Sequence, residues 1–301
     1  GVSRGLGDVY KRQRLNEIFK KYNTSGMFYA HASVGTLHVR PVLNMKSDQD
    51  IKNMRSISEE AFEMVKDYKG SHSGEHGDGI VRSEFHEMMF GKNITNAFEE
   101  IKDTFDNKNL LNPGKIVRPF KSNDRSLMRY KSDYQTENIS THYDWSNWGQ
   151  FSDAIEMCNN NGACRKLDSG VMCPSYRVTK EEKDLVRGRA NTLRLALSNQ
   201  LPEGSFVSKE MYETMELCVS CKACQRECPM SVDMAKMKSE FLSHYYKKFS
   251  MRIKDRIISN MPKLIWLYKI VNPIINKIKN YPLISNIIRK FGFATERSPV
   301  S

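Results

Sequence analysis

No apolar run in these 301 residues approaches the ~20 that a membrane-spanning helix needs, which excludes an ordinary spanning segment. No signal peptide is recognisable. The cysteines number seven, an odd count, and most stand in a ligand pattern, so a reducing cytoplasm is expected rather than a disulfide-stapled secreted protein. A Gly-rich dinucleotide fingerprint is missing too, so this chain offers no phosphate-cradling loop of that type. Acid is scarce at one end: residues 241–301 hold 12 Lys/Arg against Asp255 and Glu296 alone, a formal +10. The other 240 residues hold 35 basic and 33 acidic side chains, only +2. The formal charge of +12 therefore belongs to the tail, which argues against nucleic acid as a partner of the whole protein.

What is present centres on Cys218-Val-Ser-Cys221-Lys-Ala-Cys224-Gln-Arg-Glu-Cys228-Pro229, spaced C-x2-C-x2-C-x3-C-P. Three thiolates at that spacing wrap one cuboidal iron–sulfur cluster, and the fourth, before Pro, characteristically ligates a second. The competing readings are a zinc site, which usually takes two well-separated pairs, or buried free thiols. The spacing favours iron–sulfur. The remaining cysteines, Cys158, Cys164 and Cys173-Pro174, read as C-x2-N-x2-C with an eight-residue spacer before C-P, and Asn161 stands where a second ligand would be. If ligands cross between motifs, Cys218, Cys221, Cys224 and Cys173 complete one [4Fe–4S] set. Cys228, Cys158 and Cys164 make only three ligands. That second site is three-iron, completed by a non-Cys group, or empty, unless Cys158 and Cys164 merely pack. Lys222, Arg226, Arg187 and Arg189 could raise the cluster potential, although charges on solvated helices need no such purpose.

Taken in order, residues 1–13 show no helical or strand period and resemble translated sequencing-adapter sequence, so they are set aside as non-native. Residues 14–26 read as a helix end and a turn. Met27–Asn44 reads as two strands joined at Ser33–Thr36. Tyr29, His31 and Ser33 share one side of the first strand, and His38, Arg40 and Val42 one side of the second. Two histidines and an arginine can thus converge on one surface. Asp48 caps a helix to about Tyr68 with Ile51, Met54, Ile57, Ala61, Phe62 and Val65 on its apolar face. Residues 70–79 form a loop with four glycines enclosing Glu75-His76, and short helices follow around 82–90 and 94–105. His72 and His86 read as surface or loop residues.

The fold class expected is α+β: a module over 14–120, a linker over 121–143, an all-helical cluster domain over 144–249, and a basic helical tail over 250–301. Helices are expected at 150–157, 179–199, 208–217 and 231–249. In the tail, apolar and basic residues alternate at helical spacing, broken by Pro262, Pro273 and Pro282, with Leu264–Tyr268 as an apolar anchor. Either these helices pack on a neighbouring domain with Lys solvated, or they touch an anionic membrane surface or an acidic partner.

Met27–Asn44 (MFYAHASVGTLHVRPVLN), Gly70–Glu84 (GSHSGEHGDGIVRSE) and Leu110–Val117 (LLNPGKIV) resemble the C-terminal half of FAD-linked oxidases of the vanillyl-alcohol-oxidase type. The match within that group is to the D-lactate and D-2-hydroxyglutarate dehydrogenase branch. Cys158–Lys166 (CNNNGACRK), Met172–Tyr176 (MCPSY), Arg187–Asn191 (RGRAN) and the second cysteine motif resemble the long bacterial members with a fused iron–sulfur domain of the ferredoxin type. The resemblance implies that His31, His38 and Glu75 ligate a divalent metal, most naturally zinc. It implies that His76 contacts substrate and flavin and accepts the hydroxyl proton. A metal of that kind lowers the pKa of the bound hydroxyl before hydride leaves for the flavin. The match departs where Ser33, Val34 and Thr36 replace the family's Gly, Asp and Asn, and where Arg40 stands for a substrate-binding Asn. Arg40 shares the His38 face and is expected to hold a substrate carboxylate bidentately.

The resemblance therefore implies part of an FAD- and iron–sulfur-dependent D-2-hydroxy acid dehydrogenase, in the cytoplasm or peripheral on the inner membrane face. Its main FAD-binding domain is not in this chain, and its flavin electrons leave through a [4Fe–4S] cluster. The downstream acceptor is a quinone, a flavoprotein or a second iron–sulfur domain. The rival reading is a non-catalytic iron–sulfur subunit of a succinate-dehydrogenase-like complex. A pure relay needs none of His31, His38, Glu75 and His76.

Overall fold

The computed structural model describes residues 4–291 and 293–294, so 1–3, 292 and 295–301, which include parts of the expected N-terminal segment and tail, lie outside the described residues. The chain forms two compact units, Gly1–Tyr134 and Gln135–Ser301.

In the first unit, α1 (Arg4–Lys21) leads into an antiparallel pair, β1 (Gly26–His31) and β2 (Thr36–Pro41). Residues 4–13, expected to lack regular structure, continue α1 without a break. Their missing period shows in the packing: Val9 and Tyr10 are half exposed, whereas Leu15 and Phe19, further along, are buried. The hairpin register pairs Tyr29 with His38 and His31 with Thr36, so the alternating faces fall as the pattern requires.

Helix α2 (Asp48–Asp67) starts one residue away from the expected cap: Ser47, not Asp48, accepts the Asp50 N–H. Ile51, Ile57 and Met64 are buried beneath it. Met54, Ala61, Phe62 and Val65, on the expected apolar face, instead floor a cavity of about 670 Å³. The segment expected as one short helix divides into α3 (Gly79–Arg82), a 3-10 turn and α4 (His86–Phe90), before α5 (Lys92–Phe105). Gly114, at φ +76°, closes the loop of the LNPGK stretch, where any Cβ would meet the Phe120 ring. Buried Glu84 holds this return in place through Arg55 Nη1 (2.9 Å) and the Ser122 N–H (2.6 Å). The stretch 121–143 is anchored at its start by that contact. Within the second unit, its far end is tied by Glu137 N–H to the Leu197 carbonyl (2.8 Å).

Among the described residues of the second unit every regular element is a helix: α6 (Phe151–Glu156), α7 (Pro174–Thr179), α8 (Val186–Leu197), α9 (Lys209–Glu216), α10 (Ala223–Glu227) and α11 (Met234–Lys248), then α12 (Ile253–Asn260), α13 (Ile265–Ile278) and α14 (Pro282–Lys290). The helix expected over 179–199 begins only at Val186, because Lys180 adopts a left-handed conformation (φ +60°) and ends α7. A 3-10 turn over Glu182–Asp184 then packs against α8 at Gly188. A Cβ there would stand 2.0 Å from the Glu182 carbonyl oxygen, so only glycine allows the approach. Pro273 lies inside α13 rather than breaking it, whereas Pro262 and Pro282 do mark element starts.

The core of this unit gathers Trp145, Phe151, Ile155, Leu193, Leu197, Met215 and Phe241 around the cysteine loops. One carboxylate is fully buried among them. Glu240 accepts the backbone N–H of His142 (2.9 Å) and of Tyr143 (3.0 Å) and the Trp145 indole N–H (3.1 Å). Burial would raise its pKa, but these three donors hold it below the ordinary carboxylate range. No helix among the described residues is long and apolar enough to cross a membrane.

Candidate metal, substrate and iron–sulfur sites

The hairpin sets two imidazoles side by side. The rings of His31 and His38 meet edge to face at 5.2 Å, and Tyr29 stacks on His38 at 4.3 Å, as same-face neighbours should. The glycine-rich loop then brings Glu75 to them, its Oε1 2.7 Å from His38 Nε2 and its Oε2 3.6 Å from His31 Nε2. Ligand atoms of all three residues lie within 4.8 Å of one another. Despite the short distance, the His38 Nε2 makes no hydrogen bond of proper angle and is shut off from solvent. Two donors close together yet not aimed at each other suit a cation between them. The residues fit a divalent ion: two imidazoles and a carboxylate leave further positions open.

His76 follows Glu75 with φ +65°, next to Gly77 at +71°. That left-handed run turns its ring outward: the side chain is 81% exposed and its Nε2 stays 3.3 Å from Glu75 Oε1. His38, Glu75 and His76 line the same 670 Å³ cavity, above its apolar floor. Arg40 shares the hairpin face but is exposed, its guanidinium lying over the Tyr29 ring (5.1 Å). Arg82, which sequence reasoning passed over, does line the cavity. Nothing in its local sequence signals this, because the loop fold decides it.

His72 and His86 are not surface residues; both are buried. Phe62, Phe90 and Phe98 crowd their rings, a packing that no residue-by-residue reading of polarity shows. With Asp78 they form a second three-donor group.

In the second unit, Cys173, Cys218, Cys221 and Cys224 line one small cavity of about 20 Å³ that is partly open to solvent. Among the described residues no three cysteine sulfurs come within 4.8 Å of one another, so the thiols are not gathered for a single ion such as zinc. Ser220 (φ +55°) and Lys222 (φ +60°) wind the loop left-handed, and Cys173 (φ +54°) does the same before Pro174 starts α7. Burial pushes the Cys224 thiol up and the Cys173 thiol up to about 12. Buried thiols of this kind become thiolates only when a metal compensates their charge. The Val186 N–H donates to Cys173 Sγ (3.3 Å), a bond that favours the charged sulfur.

Arg189 is buried beside this cavity. Its guanidinium donates to the carbonyls of Thr214 (2.9 Å) and Asp184 (2.7 Å), to Ser175 Oγ (3.2 Å) and to Asp184 Oδ1 (3.3 Å). Lys222 lines the cavity too, whereas Arg187 pairs with Glu182 (2.6 Å). Cys158 and Cys164 are buried and Cys228 half-buried. Burial raises the Cys164 thiol, and Cys158 is close enough to add to that effect. Asn161 is turned to its own loop: its amide donates to Asn159 Oδ1 (2.6 Å) and its oxygen accepts the Ala163 N–H (2.8 Å).

Two stretches of the chain match known families. Residues 8–116 match the C-terminal domain of FAD linked oxidases, and residues 154–232 match the 4Fe-4S dicluster domain. The chain is 30% identical over 282 residues to the D-2-hydroxyglutarate dehydrogenase of Haemophilus influenzae, an overlap of 81% of this chain and 27% of that protein. It is 32% identical over 269 residues to the D-2-hydroxyglutarate dehydrogenase of Pseudomonas putida, covering 78% of this chain and 26% of the relative. The D-lactate dehydrogenase of Archaeoglobus fulgidus is 32% identical over 106 residues, 35% of this chain and 23% of that protein. The chain thus spans about a quarter of the length of these curated relatives. No solved structure matches. Residues 8–116 therefore belong to the C-terminal domain family of the FAD linked oxidases, and residues 154–232 to the 4Fe-4S dicluster family.

Proposed function

We propose that this chain supplies the metal-and-substrate face and the electron outlet of a D-2-hydroxy acid dehydrogenase, with D-2-hydroxyglutarate or D-lactate as substrate. The observation carrying this reading is the convergence of His31, His38 and Glu75 at a cavity that His76 also lines. When bound, the implied groups supply Lewis acidity (a zinc-class ion), hydride acceptance (FAD) and one-electron storage (a [4Fe–4S] cluster). The residues do the rest. His31, His38 and Glu75 hold the ion and so orient the substrate's hydroxyl and carboxylate. His76, exposed beside Glu75, takes the hydroxyl proton on its ring. Arg40 swings from Tyr29 to a second carboxylate, where its planar fork binds bidentately. Cys173, Cys218, Cys221 and Cys224 hold the cluster beside Arg189. Cys228, Cys158 and Cys164 hold a second, incomplete set to which Asn161 gives nothing while it stays bonded within its loop.

The rival, a relay subunit without chemistry of its own, leaves the His–Glu group without purpose. The experiment is calorimetric titration of the zinc-loaded chain with D-2-hydroxyglutarate and with D-lactate. Binding should need the metal, and Arg40→Ala should weaken D-2-hydroxyglutarate about tenfold or more while leaving D-lactate nearly unchanged. Equal weakening of both removes Arg40 from the site, and metal-independent binding removes the His–Glu reading.

A specific observation also supports a peripheral role for the tail. In α13 and α14, Ile265, Trp266, Ile270, Ile274 and Leu283 remain exposed next to Lys263, Lys269 and Lys277. That combination suits an anionic membrane surface, such as an inner membrane face.

A further inference from the structure

We propose that His72, Asp78 and His86 form a second divalent-metal site of the zinc class, separate from the His31–His38–Glu75 group, which clamps the Glu75–His76 loop to α4. Three independent features carry this. The donors converge: Asp78 Oδ2 lies 2.9 Å from His86 Nε2 and its Oδ1 3.8 Å from His72 Nε2, all ligand atoms falling within 4.8 Å. Around an ion with bonds of about 2.0–2.2 Å, tetrahedral donors stand roughly 3.3–3.6 Å apart, so little movement is needed.

The second feature is an unused imidazole. The His72 side chain has no solvent exposure, and neither of its ring nitrogens has a hydrogen bond of ordinary geometry; the Nδ1 of His86 also lacks one. The Arg82 main chain bears on the His72 ring, but short of that geometry. An Asp78–His86 pair alone would account for two of the three residues and leave His72 buried for nothing. The third is the surroundings. Phe62, Phe90 and Phe98 pack on the two imidazoles by ring contacts, with Phe85 behind Phe62, and the His72 ring is shut off from water that could replace the missing partner. Burial also holds His72 below its ordinary pKa, in the neutral form that binds metal.

Its two imidazoles are buried and Asp78 is half-buried, whereas His31 of the other group is 58% exposed, and this marks the site as structural. Asp78 directly precedes α3 and comes three residues after Glu75, while His86 opens α4. An ion held there shortens the free length of the loop on both sides of His76. The reading stands whether or not the His31 group takes part in catalysis.

The test counts zinc by elemental analysis on the full chain after its cluster has been loaded with iron and sulfide, so that thiols cannot compete. Wild type should hold about two zinc ions, and His38→Asn and His72→Asn about one each. X-ray absorption of zinc in the His38→Asn chain should show nitrogen and oxygen ligands only. The inference is overturned if His38→Asn holds no zinc, if its zinc is sulfur-ligated, or if His72→Asn still holds as much as wild type. If His72→Asn fails to fold, the His38→Asn absorption spectrum decides alone. Failure of substrate binding with two zinc ions present would sink the catalytic reading and leave this one intact.

Discussion

The two units set their candidate metal ligands in different surroundings. The first gathers His31, His38 and Glu75 from a hairpin and a distant loop, at the edge of an open cavity, with His31 58% exposed. The second places its thiols at the edge of a helical core, with Cys173 and Cys224 buried, Cys218 half-buried, Cys221 exposed and Arg189 buried beside them. The difference follows from what each must reach. On the proposed function a substrate would enter the first site, and the exposed His31 and His76 with the left-handed His76–Gly77 turn suit that. A cluster that only relays electrons would need no substrate entrance, so most of its ligands can be buried, where low dielectric and fixed charge tune its potential.

Removing one thiol should break the comparison most severely. Cys173→Ser deprives the complete set of its only ligand from outside the 218–224 run. Iron should fall from about four per chain to well below that, measured with sulfide after anaerobic purification, while zinc in the first unit is unchanged. Zinc in place of iron in the unaltered chain would overturn the cluster assignment.

The next effect is on stability. Glu240→Ala leaves two backbone N–H groups and the Trp145 indole N–H buried without their acceptor. At roughly 1–3 kcal/mol for each unsatisfied group, the second unit should lose about 3 kcal/mol or more in denaturant unfolding. A loss under about 1 kcal/mol would show that water replaces the carboxylate. The first unit's unfolding should not move.

The smallest effect is with pH. Burial holds His244 below its ordinary value, its Nε2 3.6 Å from Glu240. The unfolded chain therefore takes up that proton first as pH falls. Stability of the second unit should be full above about 6.5 and decline as pH drops below it. Glu240 adds a further loss below about 4.5, since its folded carboxyl stays ionised to lower pH than the unfolded one. His244→Phe should flatten the upper part of that decline in unfolding titrations at pH 7.5 and 5.5, and an unchanged slope would remove His244 as its source.

Much of this was legible in the chain. The hairpin was, because strand alternation puts Tyr29, His31, His38 and Arg40 on one face whatever surrounds them. The body of α2 was, though not its cap or the whole role of its face: Ile51 and Ile57 are buried, but Met54, Ala61, Phe62 and Val65 line a cavity. The break at Lys180 was hidden, because nothing about lysine signals a left-handed turn. The burial of His72 and His86 was hidden for a similar reason. Their polarity argues for the surface, and only phenylalanines brought from α2, α4 and α5 reverse that.

The local ligand set was determined by sequence alone. Cys218, Cys221 and Cys224 stand one turn of chain apart, so their convergence needs no distant partner, and an FAD-oxidase and iron–sulfur pairing could be read from short motifs. Tertiary structure decided whatever depends on residues far apart in the chain: that Cys173 completes that cavity, that Glu75 meets the hairpin histidines, that Arg189 is the buried cation beside the thiols and that His72 joins Asp78 and His86. Spacing specifies neighbours along the chain. Burial and charge at a site depend on what the rest of the fold packs around it.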